Sequence, residues 1–187
     1  MNAIFEAALE VELECQRAHL DFCFIGGLAV QRWGEPRMTV DVDVTLVTGF
    51  GGEDRFVDLL LGHFPGRLPD ARAFALSYRT LLLSASNGVP VDVSLGAMPF
   101  EERAAARSSA FDLGGGATVT TCSAEDLVVH KAFAGRAKDW IDIEGIVLRQ
   151  RGALDASVIW EELLPLLELK EDTSTEARLQ ELLAQRR

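Results

Sequence analysis

The chain has 187 residues, 48% hydrophobic and 25% charged, with 16 glycines and 6 prolines; this composition excludes a disordered, collagen-like or low-complexity protein. Its length suits one domain, or one domain with a helical appendage, and suffices to bury a core without disulfides or a structural metal. With 29 acidic residues against 18 basic ones the formal charge is −11, which argues against a non-specific nucleic-acid coat but leaves room for a nucleic-acid substrate on a local basic patch.

Residues 2–18 are expected to form an amphipathic helix, because Ile4, Ala7, Ala8, Val11 and Cys15 recur at helical spacing with glutamates elsewhere. The same segment carries glutamates where a secretory signal would carry lysines, and no apolar run approaches the roughly 18–20 residues of a membrane helix. The three cysteines, Cys15, Cys23 and Cys122, are widely spaced beside apolar residues, which predicts buried free thiols. A reduced, cytoplasmic protein follows as the expectation.

Phe22–Ile25 has the pattern of a short buried strand running into Gly26-Gly27, and Leu28–Trp33 that of a short helix stopped by Gly34 and Pro36. From Val40 to Val47 valine, aspartate, threonine and leucine alternate strictly, predicting a strand with Val40, Val42, Val44 and Leu46 on one face. A glycine-rich loop and a helix over 53–64 follow. Strands over 80–85 and 89–95 flank Asn87-Gly88, a strong hairpin signal. Pro99 opens a helix to Arg107, and residues 110–113 and 117–121 are expected as short edge strands. Ser123 is a good N-cap for a helix over 124–133, broken by Gly135. Helical stretches over 138–150, 156–168 and 174–186 complete the chain. The expected fold is a small mixed α/β (α+β) sheet with a helical C-terminal part, a core of residues 1–122 carrying a helical region of residues 123–187 in a single compact unit.

The strand aspartates are the unusual feature. On a strand over 40–47 Asp41 and Asp43 project from one face, about 7 Å apart, and two carboxylates so placed repel unless a cation or proton lies between them. Alone, the alternation also suits a solvated outer face. Asp92, however, is a third carboxylate amid β-formers, where aspartate is depleted. Magnesium is held by one or two carboxylates with phosphates and waters, and three converging carboxylates can hold the two ions of phosphoryl transfer. Gly26-Gly27 at a helix start lets backbone N–H groups approach a phosphate.

Ile25-Gly26-Gly27, 13 intervening residues, Asp41-Val42-Asp43, then Val91-Asp92-Val93 form a series that resembles the nucleotidyltransferase superfamily with a polymerase-β-like palm. Arg37-Met38-Thr39-Val40-Asp41, Ser123–Leu127 with His130-Lys131, and Arg136–Asp142 narrow the likeness to its AbiEii-type toxin branch. The resemblance covers roughly residues 22–150. It implies transfer of a nucleoside monophosphate from an NTP to an acceptor hydroxyl, with pyrophosphate leaving. Asp41 and Asp43 would bind a magnesium pair and the triphosphate, and Asp92 would complete the site and help deprotonate the acceptor. Lys131, whose plain reading is a solvated lysine on a helix, would contact the triphosphate. Asp139 or Asp142, three apart on one helix face, would contact the nucleotide or orient Lys131. Arg37 and Thr39 either touch phosphate or fix the start of the strand. His130 is read as a structural or surface histidine, and Trp140 as core. One departure stands out: Leu28 follows the two glycines where many relatives carry a phosphate-binding Ser or Thr.

The implied acceptor is RNA, above all a tRNA 3′ end, with a cognate antitoxin as a further partner; Arg136, Lys138, Arg149 and Arg151 would supply the basic strip RNA needs. A small-molecule acceptor of the antibiotic type is the rival, since the acidic total suits a cationic substrate. A non-catalytic nucleotide-binding module acting through a protein partner ranks below both, because all three carboxylates are present. The leucines at 163, 164, 167, 179, 182 and 183 suit either packing on the core or an interface.

Overall fold

Residues 2–184 are described in the computed structural model. They divide into two compact units, one of residues 2–28 and 38–122, the other of residues 29–37 and 123–184.

The first unit is built on a six-stranded mixed sheet in the order β3-β4-β2-β1-β6-β5. Its strands are β1 (Phe22–Phe24), β2 (Val42–Val47), β3 (Thr80–Ser84), β4 (Pro90–Gly96), β5 (Ser109–Gly114) and β6 (Ala117–Thr121). β2 runs parallel to β4 and β1 parallel to β6, while the other pairings are antiparallel. The Asn87-Gly88 hairpin is present. Gly88 takes a φ of 82°, which glycine adopts without a Cβ penalty, and the Ala85 amide closes the turn on the Val89 carbonyl at 2.9 Å. β5 is an edge strand as expected. β6 is not, because its other side is taken up by β1, with Phe24 opposite Thr121.

Alternation along the strands sends Val42, Val44, Leu46, Leu81, Leu83, Val91 and Val93 into one apolar cluster. Helix α1 (Ala3–Arg17) contributes Ala7, Ala8, Val11 and Cys15, and α3 (Glu53–His63) contributes Phe56, Val57 and Leu60. Sequence periodicity missed α4 (Ala71–Tyr78), which is eight residues long and buries only the small Ala71 and Ala75 on its inner face. Helix α5 (Pro99–Ala106) packs on β1 and β2. All three cysteines are buried and outside any disulfide; burial, with Glu12 and Glu14 adding to it, pushes the Cys15 thiol up to about 12.

Two of the boundaries that differ from expectation bear on the strand aspartates and the glycines before them. Helix α2 (Gly26–Trp33) takes in the two glycines. The strand expected from Val40 begins only at Val42, where the ladder with Val91 starts, and Val40 is 70% exposed. Asp41 therefore lies in a bend before β2, and it does not share a strand face with Asp43.

In the second unit α6 (Ala124–Ala134) packs on α7 (Ala137–Arg149), α8 (Ala156–Lys170) and α9 (Thr175–Ala184). Ser123 caps α6 as expected, its hydroxyl accepting the Asp126 amide at 3.0 Å, and Gly135 closes it in the left-handed region. Trp140 is core: it is buried, and its indole N–H donates to the Gly135 carbonyl at 3.2 Å. Residues 185 and 186 of the last expected helix lie outside the described residues. Among the described residues no helix is long and apolar enough to cross a membrane.

Candidate active site

In the first unit the parallel register of β2 and β4 sets Asp43 opposite Asp92. Residues opposed on neighbouring strands project to the same face, so two of the three expected carboxylates stand side by side. Asp41 joins them electrostatically. The Asp92 carboxyl is pushed above its ordinary value by burial first and by the Asp41 charge as well, with Arg67 opposing both.

The paired glycines have a steric reason in this arrangement. Gly26 has a φ of 57°, and a Cβ built on it would lie 1.8 Å from Asp43 Oδ2. A Cβ on Gly27 would lie 2.3 Å from Thr39 Oγ1, and that hydroxyl donates to Asp41 Oδ1 at 3.0 Å. Each glycine thus clears space for one aspartate, Gly26 directly and Gly27 through Thr39. Leu28, the departure noted in the sequence, is fully buried in the apolar cluster. Gly26→Ala is expected to combine backbone strain of about 1–3 kcal/mol with displacement of Asp43. Thermal unfolding and transfer assays should show a lower melting temperature and reduced transfer, although no polar group is removed.

Sequence reasoning missed Arg67. Its amide donates to the Leu82 carbonyl at 2.9 Å, Leu82 lies opposite Asp92, and the guanidinium donates to Asp92 Oδ1. Residues 65–70 carry no periodic signal, and the placement comes from an isolated bridge between Gly66 and Leu83. Nothing local in the sequence ties position 67 to position 92.

Among the described residues no group of three His, Cys, Asp or Glu side chains is assembled to hold a metal ion. The donor chemistry nevertheless fits one. Asp41, Asp43 and Asp92 offer hard carboxylate oxygens, and the repulsion Asp92 feels from Asp41 is the imbalance a divalent cation relieves. Arg67 supplies part of that compensation in this structure.

The second unit gathers the remaining expected residues, and it corrects the plain reading of Lys131. That side chain is only 6% exposed, with its ammonium donating to Asp142 Oδ2 at 2.6 Å and to Asp139 Oδ1 at 3.4 Å. Both aspartates, one helical turn apart on α7, therefore hold the same lysine. Arg37 grips Asp142 with two bonds of 2.7 and 2.9 Å, and Arg136 reaches Asp139 at 2.7 Å. The result is a chain of three cations and two anions, Arg37–Asp142–Lys131–Asp139–Arg136. Burial pushes the Asp142 carboxyl up, but hydrogen bonds and charge from Arg37 and Lys131 outweigh it and hold the group below its ordinary value. His130 enters no metal-holding group among the described residues.

Solved structures that share this fold include the following three. One is an antigenic nucleotidyltransferase-like protein from Paracoccidioides brasiliensis, 16% identical with a TM-score of 0.55 over 95% of this chain and 92% of that one. The antibiotic-resistance factor ANT(2″)-Ia in solution is 15% identical with a TM-score of 0.55 over 89% and 92%. ANT(2″)-Ia in complex with adenylyl-2″-tobramycin is 14% identical with a TM-score of 0.54 over 90% and 99%. No curated protein sequence matches the chain.

The fold is that of the nucleotidyltransferases, and the chain is a nucleotidyltransferase. Over residues 7–186 it matches the family described as nucleotidyl transferase AbiEii toxin, type IV TA system, and it belongs to that family.

Proposed function

We propose that the chain transfers a nucleoside monophosphate from an NTP to a hydroxyl of RNA, in particular a tRNA 3′ end, and that Asp41, Asp43 and Asp92 are its catalytic carboxylates. The observation that carries this reading is Asp43 set opposite Asp92 on parallel strands, with Gly26 at the start of α2 lying against Asp43. These three aspartates would hold magnesium, which when bound supplies charge to the attacking and leaving oxygens of the transfer. Asp92, with its carboxyl already pushed upward, suits a part in taking the acceptor proton. The N–H groups of Gly26 and Gly27 would face the triphosphate, and the residue after them, Leu28, is buried in the core and supplies no hydroxyl.

In the second unit Lys131 is the nucleotide-contacting group of this reading. Two of its three N–H groups are committed to Asp139 and Asp142, which fixes the ammonium and leaves the third for a phosphate oxygen. Arg37 then orients Asp142, and Thr39 orients Asp41.

Family membership supports a toxin role and an antitoxin protein as partner. Exposed Arg136 and Lys138 at the start of α7, with Arg149 and Arg151 at and beyond its end, support RNA as acceptor, as positive charge on an acidic chain. A cationic small molecule is the second reading, favoured by the fold shared with ANT(2″)-Ia and by the net charge of −11. Incubation with magnesium and each α-labelled NTP, with total RNA or with tobramycin, separates the two. Label on RNA alone is the expected result. Label on tobramycin alone would replace RNA with the second reading, and label on neither would overturn both acceptors.

A further inference from the structure

Among the described residues, Arg67 is a cation held at one of the three carboxylates that the motif pattern does not account for. Its backbone extends the sheet beyond β3 through the bond to Leu82, and Leu82, Asp92 and Asp43 follow in register across β3, β4 and β2. The guanidinium is brought to Asp92 by the same ladder that brings Asp43 there. Its side chain is 30% exposed and that of Asp92 36%, so the pair is open to exchange with solvent ions. Asp92 also bears the negative charge of Asp41, and without a divalent ion a cation beside it has a reason to stay. A guanidinium and a hard divalent cation compete for the same carboxylate oxygen, Asp92 Oδ1.

From this geometry we propose that Arg67 is a positioning residue that holds Asp92 whenever no divalent cation does, so that the cation must displace it to gain Asp92. The inference rests on the metal-binding part of the reading above and adds to it an internal competitor that sets how much divalent cation the site requires. Arg67 also keeps Asp92 aligned with Asp43 while the site waits, so that displacement exchanges one counter-ion for another without rebuilding the strand.

The test is a titration of the purified chain with Mn2+ by electron paramagnetic resonance, without NTP. Wild type, Arg67→Ala, Arg67→Lys and Asp41→Ala/Asp43→Ala are compared. Arg72→Ala is the charge-matched control, because Arg72 pairs with Asp54 and Asp58 on the same unit. Arg67→Ala should bind Mn2+ about two- to fivefold more tightly, the range that a partly exposed ion pair contributes. Arg67→Lys should fall between it and wild type, and Arg72→Ala should match wild type. In EDTA, Arg67→Ala should melt below wild type, and a larger stabilisation by Mn2+ should close that gap. Unchanged or weaker Mn2+ binding by Arg67→Ala, with wild-type binding abolished in the double aspartate variant, overturns the role of Arg67 alone. No Mn2+ binding by the wild type overturns the metal reading, and this inference with it. If Arg67→Ala does not fold, the Arg67→Lys and Arg72→Ala titrations decide: equal affinities for both overturn the proposal.

Discussion

Asp43→Ala is expected to lower nucleotide transfer by about a thousandfold or more, with the melting temperature unchanged or raised. The rate effect follows from losing one ligand of a charge-stabilising site worth several kcal/mol in the transition state, about 4 kcal/mol for three decades. The stability effect has the opposite sign to that of most substitutions. Asp43 stands beside Asp92, with Asp41 two residues upstream, and removing one of three neighbouring carboxylates relieves repulsion. Initial-rate assays and thermal unfolding of the same preparation check both halves. A variant that unfolds would make Asp43 a structural residue and remove it from the proposed metal site.

Lys131→Ala should act on stability and on nucleotide binding together. Removing the buried ammonium leaves Asp139 and Asp142 with only Arg136 and Arg37 as partners, and breaking a buried pair from one side costs about 3–5 kcal/mol. Because each aspartate keeps one guanidinium, the lower end applies, a fall of roughly 6–12 °C in melting temperature for a chain of this size. At a temperature where the variant is folded, NTP affinity should drop while Mn2+ affinity stays near wild type; unchanged NTP affinity would remove Lys131 from the nucleotide site. The same network gives a pH signature. The folded state holds Asp142 below its ordinary 3.8, so its contribution is complete above that value and is lost as the pH falls through the lower folded value. Urea unfolding of wild type and Asp142→Asn at about pH 7 and about pH 3 should show a stability gap that narrows in acid. A gap of equal size at both would contradict the assigned ion pairs.

Features that depend on local pattern were legible in the sequence. Ser123 and Gly135 bounded α6, Asn87-Gly88 gave the hairpin, and the alternation of 42–47 gave the face of β2 that enters the core. The motif spacing identified Asp43, Asp92, Gly26 and Gly27, which the sheet then brings together. What the sequence hid was set by pairing between distant residues. The strand could not be seen to start at Val42 rather than Val40, because the start depends on where Val91 lies. Lys131 gave no local sign of burial, since its partners Asp139 and Asp142 belong to the next helix. Arg67 was invisible for the same reason, its position being set by a single bridge to β3. The glycines were read for their approach to phosphate, whereas in the fold their absent Cβ atoms clear space for Asp43 and Thr39.

Transfer measured in parallel with α-labelled and γ-labelled NTP tests the central claim most directly, using wild type and Asp41→Ala/Asp43→Ala with magnesium and RNA. Label should pass to the acceptor from the α-phosphate only, in the wild type only, with the double variant folded and inactive. Equal transfer by the folded double variant, or acceptor labelled from the γ-phosphate, would contradict nucleotidyl transfer at these carboxylates.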